Sequence, residues 1–283
     1  MKILMIGAHQ DDNEILCGGL AHKYVKMGYE VRFLSLCNGC GGHHILSPEE
    51  TTKRRAAESA KVGEYLGLRY DIWDIDDCNI VADLPTRKRM IRYIREFAPD
   101  LIITHRTNDY MPDHRAAGQL VQDASYLLIV PHECPDVPAM RKMPVILYSE
   151  DPFTTPPFRC DIVLNMDDEI DTKLQILDFN VSQIYEWLPY SNCYENEVPE
   201  TPEERFEWMK GMNITAETTD EEIMAAEKGY AVEFAKTAAR FRKELIQRYG
   251  KERGSKIRYA EAFEISEYGA KLTKELEQKL FPF

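Results

Sequence analysis

Lys2-Ile3-Leu4-Met5-Ile6-Gly7-Ala8-His9-Gln10-Asp11-Asp12-Asn13-Glu14 opens the chain with an apolar run that passes directly into a cluster of imidazole and carboxylate groups. The run Lys2–Gly7 reads as a buried strand. Glu14–Met27, which follows, has a helical pattern and stops at Gly28, the residue type that closes helices. Strand, turn and helix in that order begin a βαβ unit, so the sheet is expected to be mostly parallel and flanked by helices. The polar cluster then lies in a turn at the carboxyl end of a strand, where open parallel sheets hold their ligands.

The same alternation runs outward from this unit. Further strands are expected at Glu30–Leu36, Tyr70–Asp74, Asp100–Thr104, Pro144–Tyr148 and Asp161–Leu164, with helices at Pro48–Leu66, Pro85–Phe97 and His114–Val130. Ser47-Pro48-Glu49-Glu50 has the form of an N-cap with proline in the first turn, and Gly67 closes the same helix. From Asp167 the character changes: a helical pattern at Lys173–Trp187, a loop from Pro189 to Pro202, and a long charged helix expected over Asp220–Tyr249. This divides the chain into an α/β part, residues 1–185, and a mainly helical C-terminal extension, residues 186–283, packing on it as one structural unit.

The bulk composition is that of a globular protein: 283 residues, 44% hydrophobic and 29% charged. A net charge of -13 argues against a nucleic-acid backbone or an anionic membrane surface as partner. Seven cysteines without a leader-like segment or a membrane-spanning run point to free thiols in a cytoplasmic setting. The sequence leaves the oligomeric state open, though the charged C-terminal helices could support a homo-oligomer.

Asp11, Asp12 and Glu14 place three carboxylates within four positions, and they repel one another unless a cation neutralises them. The alternative is that they are first-turn acids favoured by the helix dipole. A second cluster, His105-Arg106-Thr107-Asn108-Asp109-Tyr110-Met111-Pro112-Asp113-His114, follows the strand ending at Thr104, again on the carboxyl side. Two such clusters can converge on one ion. His9, Asp12 and His114 would then supply three ligands and leave a fourth position for water, as at a catalytic zinc site. A nucleotide-binding turn is disfavoured, because Gly7-Ala8-His9-Gln10 puts bulk and charge where a G-x-G-x-x-G turn needs glycine.

AHQDDNEILCGG (8–19) resembles the AHPDD-x-E signature, and NDYMPDHRAAG (108–118) the HPDH signature, of the PIG-L/LmbE-like zinc-dependent N-deacetylases. Arg55-Ala56-Ala57-Glu58 with Leu66-Gly67, the segment Asp171–Gln183, and Tyr259-Ala260-Glu261-Ala262-Phe263 resemble further elements of that family. The resemblance implies a Rossmann-like fold, with His9, Asp12 and His114 as zinc ligands, although ligand type alone admits another divalent metal. It also implies Asp11 as general base, Arg55 as a substrate contact, and a small amino sugar or glycoconjugate that loses an N-acetyl or related acyl group. Asp113 joins the catalytic set as a residue that orients a neighbour of the metal. The alternative for Arg55 is a surface pair with Glu58.

The sequence departs from the family pattern at three places. Gln10 replaces a proline, Met111 replaces the first His of HPDH, and Asn180 stands where the family has a His in contact with substrate. A thioether can neither donate a proton nor stabilise an oxyanion. These losses leave open a metal-retaining binding protein of weak or altered activity. Cys37-Asn38-Gly39-Cys40-Gly41-Gly42-His43-His44 admits three readings: an ordinary active-site loop, a loop that brings His43 or His44 to substrate in place of the missing imidazole, or a separate zinc site. Tyr185, Trp187, Tyr190 and Tyr194 could form a sugar-stacking rim or simply pack.

Overall fold

A computed structural model describes residues 1–283. Six strands fall where the sequence places them: β1 (Lys2–Gly7), β2 (Glu30–Cys37), β3 (Arg69–Ile75), β4 (Leu101–Thr104), β5 (Val145–Ser149) and β6 (Ile162–Asn165). A seventh, β7 (Ala260–Gly269), comes from the C-terminal region, and the sheet order is β3-β2-β1-β4-β5-β7-β6. Strands β1 to β5 pair in parallel, whereas β7 runs antiparallel to both β5 and β6. The chain winds from β1 out to β3, then returns to β4 on the other side of β1. A crevice therefore opens between the carboxyl ends of β1 and β4, the switch point at which such sheets bind ligands.

Alternation along the strands separates two cores. Ile3, Met5, Phe33, Leu101 and Ile103 pack on one face of the sheet, and Leu4, Ile6, Leu34, Leu36 and Ile102 on the other. Both faces are covered, which is why these strands read as unbroken apolar runs. The covering helices are α1 (Asp12–Lys26), α2 (Pro48–Leu66), α3 (Leu84–Phe97) and α4 (Pro112–Ser125). Ser47 and Glu50 close a full capping box on α2, and Gly67 ends that helix at φ 72°. No helix is long and apolar enough to cross a membrane.

The chain beyond Asp167 differs from the sequence reading in three respects. The helix expected over Lys173–Trp187 is α5 (Ile170–Asp178) followed, after a break, by a π-helical turn at Ser182–Trp187. After α6 (Leu188–Ser191) and α7 (Pro202–Lys210), the single helix expected over Asp220–Tyr249 is three: α8 (Asp220–Ala225), α9 (Tyr230–Arg240) and α10 (Arg242–Tyr249). Gly229 causes the first interruption. It sits at φ 113°, and a Cβ there would lie 2.4 Å from the Lys210 carbonyl oxygen and 2.5 Å from Gly211 Cα. The backbone before α9 is thus pressed against the end of α7, which only glycine permits.

Strand β7 is the third difference, since the extension contributes to the sheet as well as helices, including α11 (Lys251–Gly254) and α12 (Lys274–Leu280). Ala260-Glu261-Ala262 lacks the β-branched residues that mark a strand. Glu261 is nevertheless only 3% exposed. Helix α1 is distorted at Cys17 (φ -148°), and just beyond it the Gly19 and Leu20 N–H groups donate to the two Glu261 oxygens at 2.9 and 3.0 Å. Lys173 of α5, equally buried, forms an ion pair with the same carboxylate.

Candidate metal centre

The turn after β1 holds His9, Asp11 and Asp12, and the turn after β4 together with the first turn of α4 holds His105, Asp109, Asp113 and His114. All seven are buried or nearly so. His9 Nδ1 lies 3.7 Å from Asp12 Oδ2, and His114 Nε2 lies 3.4 Å from Asp12 Oδ1. One ligating atom from each of His9, Asp12 and His114 lies within 4.8 Å of the others. Donors at about 2.0–2.2 Å from a shared tetrahedral zinc ion stand at separations of this order.

The far side of each ring supports the same geometry. His9 Nε2 is 3.0 Å from Asp113 Oδ2, and His114 Nδ1 is 3.0 Å from Asp109 Oδ1. A carboxylate behind an imidazole fixes its tautomer and aims the other nitrogen, as it does at metal-binding histidines. Asp113 is itself held by the N–H groups of Cys78 (2.7 Å) and Ile80 (3.2 Å). Asp12 Oδ2 accepts from the His9 N–H at 2.7 Å and lies 3.1 Å from His105 Nε2. The donor set of two aimed imidazoles and one anionic carboxylate therefore fits a divalent cation.

The two adjacent aspartates are driven apart electrostatically. Burial pushes Asp11 up to about 7, with Asp12 adding to the rise and the Arg55 guanidinium opposing it. Burial acts in the same sense on Asp12, but His114 and His105 overcome it and hold that carboxyl well below its usual range. One aspartate titrates near neutrality while its neighbour stays ionised, a division found where one group moves protons and the other carries fixed charge. His114 is raised to about 10: burial opposes its charge, and the Asp12 and Asp109 carboxylates outweigh burial.

This last shift has a consequence for stability. A histidine whose folded pKa is raised stabilises the fold fully below its unfolded value of about 6.5, and that contribution is lost as pH rises through about 10. A bound cation would replace the proton. The melting temperature of metal-stripped protein is therefore expected to fall between pH 6.5 and 10, and the gap between metal-loaded and stripped protein to widen. Thermal unfolding of both forms across that range checks this, and a constant gap would contradict it.

Comparison with known proteins bears on the reading. A family model described as PIG-L, GlcNAc-PI de-N-acetylase, matches residues 4–125, the stretch that contains both clusters. That match is to the PIG-L family model and covers less than half of the chain. Over 125 residues the chain is 30% identical to a diacetylchitobiose deacetylase of Thermococcus kodakarensis, covering 42% of this chain and 47% of that protein, so it spans about half that relative's length. It is 23% identical over 196 residues to a 4-oxalmesaconate hydratase of Pseudomonas putida, covering 66% of this chain and 76% of that protein. The structure of an N,N'-diacetylchitobiose deacetylase from Pyrococcus horikoshii superposes with a TM-score of 0.64 at 20% identity, covering 94% of this chain and 83% of that one. That likeness shows a shared fold.

The remaining expected residues have different placements. Asp11 takes φ 124° at the head of α1, an unfavourable conformation for a residue other than glycine, and lies 3.3 Å from Arg55 Nη2. Arg55, only 2% exposed, also donates to the Gln10 carbonyl and lies 3.6 Å from Asp77, so it braces the Asp11 turn. The alternative surface pair with Glu58 is not what forms: Glu58 accepts from the Ser182 N–H (3.0 Å) and hydroxyl (2.6 Å) and pairs with Arg54. Asn180, expected to touch substrate, is buried. Its amide donates to Glu14 at 3.3 Å and to the Ile176 carbonyl at 3.0 Å, leaving it behind the metal-side turn.

The loop after β2 is pinned down. Gly39 and Gly41 donate to Asp77, and Gly42 accepts from Gln183. Both nitrogens of His43 are used: Nδ1 accepts from the Ile45 and Leu46 N–H groups, and Nε2 meets Glu186 at 2.7 Å. That leaves His43 as a loop anchor without a nitrogen for substrate. His44 stacks on Tyr190 at 3.9 Å. Neither histidine, nor Cys40, belongs to any converging group of ligand atoms, so the loop does not form a separate zinc site. Sequence reasoning gave no role to Asp109. The signal was its position five residues before His114, close enough in the same turn to reach that ring.

A cavity of about 150 Å³ opens beside two of the three donors, Asp12 and His114, and is lined also by Asp109, Tyr110, Glu150 and Asp151 among others. Met111 is not on its wall, whereas Tyr110 is, with its ring edge-on to His114 at 5.3 Å.

Proposed function

We propose that this chain is a metal-dependent amide hydrolase that removes an N-acetyl or related acyl group from an amino sugar or glycoconjugate. The observation that carries the reading is the convergence of His9, Asp12 and His114, each imidazole aimed by a carboxylate, beside an aspartate that titrates near neutrality. These three residues would hold the ion, and zinc suits the donors best. When bound, the ion supplies Lewis acidity, acidifying water and polarising a carbonyl.

The rest of the work falls to side chains. Asp11 accepts a proton from the attacking water at its carboxylate and returns it to the departing amine, as its pKa of about 7 allows. Arg55 keeps that carboxylate in place. Asp113 and Asp109 hold the two rings. Tyr110 carries a hydroxyl with no protein partner and stands on the cavity wall next to the position of the missing imidazole, so it can donate to the oxygen that gains charge.

A second reading is a hydratase. Adding water to a carbon–carbon double bond expels no amine: the proton taken from water at Asp11 would be returned to carbon instead of to a leaving group, and one relative carries a hydratase name. Against this, the cavity wall presents Asp12, Asp109, Glu150 and Asp151 with only Arg106 as a fixed cation, and Arg106 is paired to Asp151. Such a wall suits a polyhydroxylated or amino substrate better than an unsaturated carboxylate. Acetate release from N-acetylated amino sugars by metal-loaded protein, and its loss on chelation, tests the proposal. Hydration of unsaturated carboxylates with no acetate release would overturn it in favour of the second reading.

A further inference from the structure

Residues of the C-terminal extension alone enclose a separate cavity of about 250 Å³. Tyr194 comes from the loop before α7, Trp208 from the last turn of α7, and Glu227, Tyr230 and Glu233 from the start of α9 and the residues leading into it. None of His9, Asp11, Asp12 and His114 lines it, and it lies wholly outside the 4–125 segment that the family model matches. Two glycines set its shape. A Cβ on Gly211 would lie 2.8 Å from Gly229 Cα, so the end of α7 is locked against the start of α9. Trp208 and Tyr230 therefore stand in place before any ligand arrives, which lowers the ordering cost of binding.

The wall is aromatic along its sides and anionic at its edge. The Tyr194 and Trp208 rings stand 6.0 Å apart at 48°, inclined rather than stacked, so neither ring covers the face of the other. Tyr230 adds a third ring, and Glu227 and Glu233 add carboxylates. The basic group on the wall is Lys228. Its Nζ lies 5.4 Å over the Tyr194 ring and pairs with Glu197, so its charge is answered there. The protein's own ammonium already uses the attraction of that ring for a cation. Glu233 pairs with Lys236 at 2.8 Å, and Glu227 has no basic partner. The balance at the wall is anionic, as it is over the whole chain, which carries a net charge of -13.

We propose that this cavity binds a small organic cation of the quaternary ammonium class. Such a group presents methyls to its surroundings while carrying a full charge, and aromatic faces satisfy both properties at once. The carboxylates at the edge add attraction without having to accept a hydrogen bond. A primary ammonium is strongly hydrated and has N–H groups to satisfy, and exposed edge carboxylates leave it better served by water. An uncharged ligand of the same shape would gain the apolar contact and nothing from the charge. The inference does not rest on the amide-hydrolase reading, and either can fail alone.

The probes are choline, its uncharged isostere 3,3-dimethylbutan-1-ol, and ethanolamine. Calorimetric titration of the whole protein is expected to show choline binding at least about ten-fold tighter than either of the others. The affinity should be the same in metal-loaded and metal-stripped protein, since no metal donor lines the cavity. Trp208→Leu keeps an apolar side chain but removes the ring, and should bring the preference over the isostere to near unity. Trp208→Phe should retain most of it, which separates loss of the ring from loss of the fold. Tyr194→Leu should lower the preference in the same direction and serves if Trp208→Leu does not fold. Choline binding that depends on Trp208, without hydrolysis of any N-acetylated sugar, would support this inference and overturn only the hydrolase reading. Equal binding of choline and its isostere would make the cavity merely apolar and overturn the inference. Ethanolamine binding as tightly as choline, or no binding of choline at all, would overturn it as well.

Discussion

Asp11→Asn is expected to lower the rate of acetate release about 10²–10⁴-fold, the usual contribution of a positioned general acid–base group, while metal per chain stays unchanged. The asparagine is nearly isosteric and keeps an oxygen for Arg55, but it cannot hold a proton. Asp11 is not among the three converging donors, so the ion should remain. The wild-type rate should rise with pH through a limb at or below about 7, and the variant should lack that limb. Steady-state kinetics with metal analysis of the same samples makes the check. A variant that keeps activity within a few-fold, or that loses its metal, would show that Asp11 does something else. Asp12→Asn should behave oppositely and lose the ion.

The largest effect on stability is expected at Glu261. Its carboxylate receives the Gly19 and Leu20 N–H groups where α1 is distorted, and it pairs with the buried Lys173 ammonium, whose Nζ also lies 4.0 Å over the Phe234 ring. Removing one member of a buried pair leaves the other charge uncompensated, at a cost of about 3–5 kcal/mol. Against typical domain stabilities of roughly 5–15 kcal/mol, Glu261→Ala should be severely destabilised. Lys173→Met combined with Glu261→Gln should lose much less than the sum of the single changes, because no charge is then stranded. Urea unfolding of the three variants measures this. Additive losses, or a Glu261→Ala cost near zero, would mean that the pair contributes little.

How much of this was legible in the sequence depended on how local each feature is. The six strands were readable because a strand buried on both faces is written as one apolar run, and Lys2–Gly7 ends where its apolar residues end. The convergence of His9, Asp12 and His114 was readable because each cluster is contiguous and follows a strand. Strand β7 was not, because it opens on Ala260-Glu261-Ala262 without β-branched residues, and its place in the sheet is set by antiparallel pairing with β5 and β6. The break before α9 was hidden for a similar reason. Gly229 looks tolerable within a helix until Gly211, far away in sequence, is found against it. The fates of Asn180 and His43 depended on Glu14 and Glu186, partners that no spacing rule connects to them.

Anomalous diffraction at the zinc absorption edge, on crystals of protein loaded with one equivalent of zinc, tests the central claim most directly. The expected result is a single peak about 2.0–2.2 Å from His9 Nδ1, an Asp12 carboxylate oxygen and His114 Nε2. Two other groupings could compete for the ion, His9 with Cys37 and Asp77, and His105 with Asp109 and His114. A peak at either of those positions, or no peak at all, would contradict the account.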